Sequence, residues 1–151
     1  MRGQWHTVDD AVLMPAPSNR VTLMVGSSGE RVLAATLPYV DVWNTWFDWH
    51  GNTAEGFAAR TAQIDAACER AERDPSTLVR SACVLVQLGD VGAERPATPD
   101  VTPLGGSLDE MANGIRAMAD AGADEVILVC DPITGPSIAY LGEMLSILRP
   151  L

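Results

Sequence analysis

The chain has 151 residues, 47% of them hydrophobic and 20% charged, and ten basic against twenty acidic side chains leave a formal charge of −10. That length allows one domain with a sizeable buried core, so neither a disulfide nor a metal is needed as a staple. All ten basic residues are arginine, which excludes a Walker-type phosphate lysine and a Schiff-base lysine, and the acidic balance argues against nucleic acid or an anionic membrane surface as partner.

The single domain opens with an approach segment, residues 1–20, a polar and apolar mixture ending in Pro15-Ala16-Pro17 that reads as a strand or hairpin leading into a sheet. Four βα units are predicted over 21–151. Val21-Thr22-Leu23-Met24-Val25 is the first strand, followed by a short helix over about 29–37 that ends before Pro38. Tyr39-Val40-Asp41-Val42-Trp43 is the second. Ala54, Phe57, Ala58, Thr61, Ile64, Cys68 and Ala71 then recur at three and four residues, giving an amphipathic helix over 53–73 with Asn52 and Glu55 as its capping arrangement. Ala82-Cys83-Val84-Leu85-Val86 is the third strand, and the Gly-, Pro-, Thr- and Asp-rich stretch Gly89 to Gly106 is an excursion loop. Ser107 and Glu110 form a capping box that opens a helix carrying Leu108, Met111, Ala112, Ile115, Met118 and Ala119 on one face and stopping at Gly122. The fourth strand is Glu125-Val126-Ile127-Leu128-Val129-Cys130, and a last helix covers about 136–148.

Continuous apolar runs of this length suit strands covered on both faces, so the order β-α-β-α-β-α-β-α predicts a parallel α/β architecture. Four such units are half of an eight-stranded barrel, or an open doubly wound sheet, and periodicity does not choose between them. Cys68, Cys83 and Cys130 are widely spaced, without a CxxC or CxxH pattern, and read as buried free thiols in a reducing compartment rather than metal ligands. No run reaches the roughly 18 apolar residues of a membrane span, and Met1 to Asp10 lacks the apolar core of a signal peptide, so the expected location is cytoplasmic.

The most specific local signal is Val25-Gly26-Ser27-Ser28-Gly29-Glu30-Arg31, a buried strand running into a Gly/Ser turn that opens a helix. Small residues let backbone approach a ligand, and free N–H groups at a helix start favour an anion such as phosphate; Gly and Ser are equally good turn and cap residues. The three-glycine dinucleotide fingerprint is missing. A second signal is Trp43-Asn44-Thr45-Trp46-Phe47-Asp48-Trp49-His50, with three of the four tryptophans at the C-terminal end of the second strand. It suits a flat aromatic ligand or a partner surface, or else a loop packed down by its own aromatics. Asn44 and Thr45 are best placed there to hydrogen-bond a ligand. His50 has no acid or nucleophile partner in sequence, and Asp131, ending the fourth strand, stands either in a catalytic-type position or as a cap for the next turn.

Taken together, these pieces resemble the C-terminal half of a luciferase-like monooxygenase, a family of flavin- or deazaflavin (coenzyme F420)-dependent oxidoreductases built on a (β/α)8 barrel. The resemblance runs from Trp5 to Leu148. It is carried by His6, Asp10-Ala11, Pro15 and Pro17, by Leu23-Met24-Val25-Gly26-Ser27-Ser28-Gly29, and by Ala34-Ala35 with Pro38-Tyr39-Val40-Asp41-Val42-Trp43-Asn44-Thr45. Ile64-Asp65-Ala66-Ala67-Cys68, Arg73-Asp74-Pro75, Gly106-Ser107-Leu108-Asp109-Glu110 and Ala121-Gly122-Ala123-Asp124-Glu125-Val126-Ile127-Leu128 complete it in order.

The resemblance implies a parallel (β/α)4 half of a TIM-type barrel and hydride or oxygen chemistry on reduced FMN or coenzyme F420, which it does not distinguish. It implies that Gly26, Ser27, Ser28 and Gly29 hold the cofactor phosphate through backbone amides, with Asn44 and Thr45 beside the same region. The family's first half carries the usual catalytic side chains, so the resemblance supplies no catalytic residue here. Four strands of a closed barrel leave two open edges and an apolar inner face. The expected partners are therefore a flavin-type cofactor and either a second copy of the chain or an N-terminal barrel half. A non-catalytic cofactor-binding module is the alternative.

Overall fold

The computed structural model describes residues 2–12, 14–88, 94–96 and 98–148. The alternation is the expected one: β1 (Met24–Val25), α1 (Glu30–Thr36), β2 (Val42–Thr45), α2 (Ala54–Arg70), β3 (Val79–Gln87), α3 (Leu108–Asp120), β4 (Glu125–Asp131) and α4 (Gly135–Leu148), with 3-10 turns at Phe47–His50 and Pro75–Thr77. The strands form one sheet in the order β1-β2-β3-β4, every pair parallel. Asn44 pairs with Ser81, and Ser81 with Glu125, so these three stand level across three strands. The arrangement is a (β/α)4 half of a TIM-type barrel.

Because side chains alternate along a strand, each strand divides its residues between the helices and the opposite, inner face. Trp43, Ala82, Val84, Val86 and Cys130 point to the helices and are buried there against Phe57, Ile64, Met111 and Met144. Trp43 stacks on Phe57 with ring centroids 6.3 Å apart. Met24, Asn44, Ser81, Cys83, Leu85, Ile127 and Val129 belong to the inner face. Phe47 and Val101 cover Cys83, Leu85 and Val129, whereas Met24, Val79 and Ile127 remain 49%, 40% and 39% exposed.

Several boundaries differ from the sequence reading, each for a local reason. The first strand is two residues, not five: Leu23 bonds through its N–H to the Asp41 carboxylate at 2.9 Å, while its carbonyl accepts from Asp41 N–H at 2.8 Å. A side chain thus takes the place of the ladder. The second strand begins at Val42 and extends to Thr45. The N-cap of α2 is Thr53, whose hydroxyl accepts from Gly56 N–H at 3.1 Å, rather than Asn52. Gly56 itself faces the His50 carbonyl so closely that a Cβ there would lie 2.0 Å away. The Ser107–Glu110 capping box forms in both directions, and Gly122, at φ +96°, follows the end of α3. In the approach segment an isolated antiparallel bridge joins Arg2 to Thr7, with no strand among its described residues. Of the expected excursion, Gly89 to Ala93 and Ala97 lie outside the described residues.

Candidate functional site

The Gly26–Gly29 turn leaves the C-terminal end of β1 and enters α1, the end of a parallel sheet at which α/β folds place ligands. Long-range bonds fix its shape. The Trp43 indole N–H donates to the Ser27 carbonyl at 2.9 Å, tying the turn to the outer side of β2, and the Ser27 hydroxyl accepts from Gly29 N–H at 3.2 Å. Gly26 lies against the backbone of Asn44, where a Cβ would sit 3.9 Å from the carbonyl oxygen. The Ser28 hydroxyl is buried without a hydrogen-bond partner. A buried, unpaired hydroxyl is costly in a folded chain and calls for a partner.

Asn44 and Thr45 stand beside this turn in sequence but face opposite sides of the sheet. The Asn44 amide NH2 donates to the Ser81 hydroxyl at 2.9 Å and carbonyl at 3.3 Å, and its oxygen accepts from the Cys83 thiol at 3.5 Å. The Ser81 hydroxyl passes on to the Glu125 carboxylate at 2.6 Å. Asn44 is therefore one end of a polar row across the inner face. Thr45 points to the helices, 1% exposed, and its hydroxyl has no partner.

His50 is buried, and its Nε2–H donates to the Cys83 carbonyl at 3.0 Å. This fixes the tautomer and leaves Nδ1 without a partner. Burial pushes the imidazole pKa below its ordinary value, only partly offset by the Cys83 carbonyl. Asn52 extends the pattern: its oxygen accepts from Leu85 N–H at 2.9 Å, and its NH2 donates to the carbonyls of Leu85 at 3.0 Å and Thr102 at 2.9 Å. Beyond the end of β2, then, these two side chains supply the bonds that a strand would have made to β3. Leu104 continues the ladder, donating to the Leu85 carbonyl and accepting from Gln87 N–H, both at 2.9 Å. His50 serves structure, and the sequence reading missed Asn52 because its partners lie 33 and 50 residues away.

Asp131 is buried and pins the chain following β3, its two carboxylate oxygens accepting from the N–H groups of Glu94 at 2.8 Å and Arg95 at 3.4 Å. Thr134 rather than Asp131 caps α4, accepting from Ser137 N–H at 3.2 Å. A crevice of about 650 Å3 at this end is lined by Leu88, Pro132, Pro136 and Tyr140. Its polar groups already satisfy one another: the Thr134 and Ser137 hydroxyls are 2.7 Å apart, and the Tyr140 phenol donates to the Gly106 carbonyl. All three cysteines are free and buried, and burial raises each thiol's pKa. Among the described residues no helix is long and apolar enough to cross a membrane.

No family model matches the sequence, and no curated protein matches it. Solved structures do. An F420-dependent secondary alcohol dehydrogenase, in complex with an F420-acetone adduct, superposes with a TM-score of 0.72 at 15% identity, over 99% of this chain and 56% of its own. The coenzyme F420-dependent tetrahydromethanopterin reductase of Methanopyrus kandleri gives a TM-score of 0.62 at 11% identity, over 85% of this chain and 51% of its own. The chain thus spans just over half the length of these similar structures. Their likeness in fold and the resemblance carried by the sequence motifs converge on one half of a TIM-type barrel.

Proposed function

We propose that this chain is the C-terminal half of a luciferase-like, flavin- or F420-dependent oxidoreductase. In this reading the Gly26–Gly29 turn holds the cofactor phosphate, and Asn44 and Thr45 frame the same end of the sheet. The observation that supports it is the placement of that turn at the C-terminal end of β1, in a fold shared with two F420-dependent enzymes. The turn suits such a group because Ser28 offers a buried hydroxyl with no partner of its own. When bound, FMN or F420 would supply the hydride chemistry, and the protein binding and orientation.

Within the chain, Trp43 sets the turn's geometry and Asn44, Ser81 and Glu125 give the inner face a hydrogen-bonded polar row. Catalysis in this reading requires the other half of the barrel, brought by a second copy or by an N-terminal half. Supporting that requirement are the exposed inner-face residues Met24, Val79 and Ile127. A second reading, a cofactor-binding module without turnover, draws on Phe47 and Val101, which lie over the inner face where the reacting ring of a barrel enzyme would need room.

Titration with oxidised and reduced FMN and with F420, followed by absorbance and fluorescence, tests the proposal. Saturable binding of at least one cofactor is expected. Binding with turnover of a test substrate supports the enzyme, and binding without it supports the module. No affinity at saturating cofactor contradicts both.

A further inference from the structure

We infer that the open inner face of the sheet takes a non-identical (β/α)4 half carrying a lysine or arginine opposite Glu125, and that a second copy of this chain is a poor substitute. The inference rests on the half-barrel reading above and names the partner which that reading leaves open. Strand alternation places two acids on the inner face. Asp131 already accepts from the N–H groups of Glu94 and Arg95. Glu125, at the start of β4, is exposed, and among the described residues its carboxylate holds only the Ser81 hydroxyl, at 2.6 Å. The ion pairs among those residues are Arg20–Asp41 and Arg80–Asp65, so Glu125 faces the open side without a cation. The chain's own strands do not bring one. Arg80 is the only basic residue on the four strands, and the alternation turns it to the helix side, where it bonds Asp65.

Symmetry turns this into a choice of partner. The four strands are all parallel, so two copies can close one barrel only about a two-fold axis that coincides with the barrel axis. Each strand then stands opposite its own copy, and Glu125 faces the same carboxylate across the axis. The interior of an eight-stranded barrel is just wide enough for its side chains, so two carboxylates would meet there with no cation between them. Each copy also brings a net charge of −10. A half with a basic residue at the facing inner position removes the repulsion and adds a charge-assisted bond to the carboxylate. That carboxylate is held in place for it, because Asn44 donates to the Ser81 hydroxyl and Ser81 to Glu125. Met24, Val79 and Ile127 add exposed apolar surface around the row, which leaves self-pairing weak rather than absent.

Sedimentation velocity of the full chain tests the partner's chemistry, with a charge-reversed second copy as the probe. Mixed in equal amounts with wild type, Glu125→Arg is expected to form pairs of twice 16.1 kDa, about tenfold or more tightly than either protein alone. Glu125→Gln, which keeps an acceptor for Ser81, should self-pair more tightly than wild type by a smaller factor. Glu143→Arg makes the same change in net charge from an exposed position on α4, and its mixture with wild type should stay at the wild-type level. Circular dichroism checks the fold of each variant. A wild type that self-pairs as tightly as the Glu125→Arg mixture overturns the inference, as does a mixture no tighter than its components or an equal gain with Glu143→Arg. Should Glu125→Arg not fold, Glu125→Gln decides, and self-pairing equal to wild type overturns the inference. Titration of the same samples with FMN and F420 keeps the two readings apart. Pairing that depends on Glu125, without cofactor binding, keeps the partner and removes the cofactor reading. Cofactor binding by a chain whose pairing ignores Glu125 does the reverse.

Discussion

The two faces of the sheet have different completeness. The helix-side face is closed: Trp43, Ala82, Val84, Val86 and Cys130 are all buried against α1 to α4. The inner face is finished only at its C-terminal end, where Phe47 and Val101 cover Cys83, Leu85 and Val129. Toward the strand starts it presents Met24, Val79 and Ile127 to solvent, beside the polar row Asn44–Ser81–Glu125. Parallel sheets are ordinarily covered on both faces. The contrast therefore separates the face that holds this chain together from the face on which the proposed second barrel half would dock.

The sharpest way to break that contrast is to damage the closed face. Trp43→Ala removes a fully buried ring and the bond to Ser27, and is expected to cost about 3–5 kcal/mol, read as a fall in denaturant midpoint. Loss of cofactor binding should accompany it under folding conditions, because the Gly26–Gly29 turn loses its tether. Next comes the surrogate ladder. Asn52 sits at φ +57°, and Asn52→Ala removes three hydrogen bonds to Leu85 and Thr102 and strains the backbone. A loss of about 2–3 kcal/mol is expected, with faster amide exchange at Leu85.

On the open face the sign of the comparison reverses. Ile127→Asp touches a partly exposed side chain, so the chain's own stability should change by less than about 1 kcal/mol, while association through the inner face is lost. Sedimentation of the variant against the wild type reads this directly. The smallest effect concerns His50. Burial lowers its folded-state pKa below the ordinary value of about 6.5, so the unfolded chain takes up a proton first as pH falls. Its contribution is complete above about pH 6.5 and is lost on going below it. Unfolding midpoints across that range should fall in the wild type and flatten in His50→Gln.

The sequence made the alternation of elements legible because short apolar runs and helical spacing are local. The Ser107–Glu110 box was readable for the same reason, since both partners lie within one turn. Less was readable where a side chain replaces backbone pairing at a distance. Asp41 shortens β1 by taking the Leu23 N–H across 18 residues, and His50 and Asn52 look like loop residues until β3 is laid beside them. At the candidate site, the Gly/Ser turn stood out through its residue types.

Light scattering of the purified chain over a concentration series, with an apolar-surface dye in parallel, tests the half-barrel account most directly. The account predicts a mass above 16.1 kDa, or dye binding that Ile127→Asp diminishes. A monomer of 16.1 kDa at every concentration, with no dye binding, would contradict it.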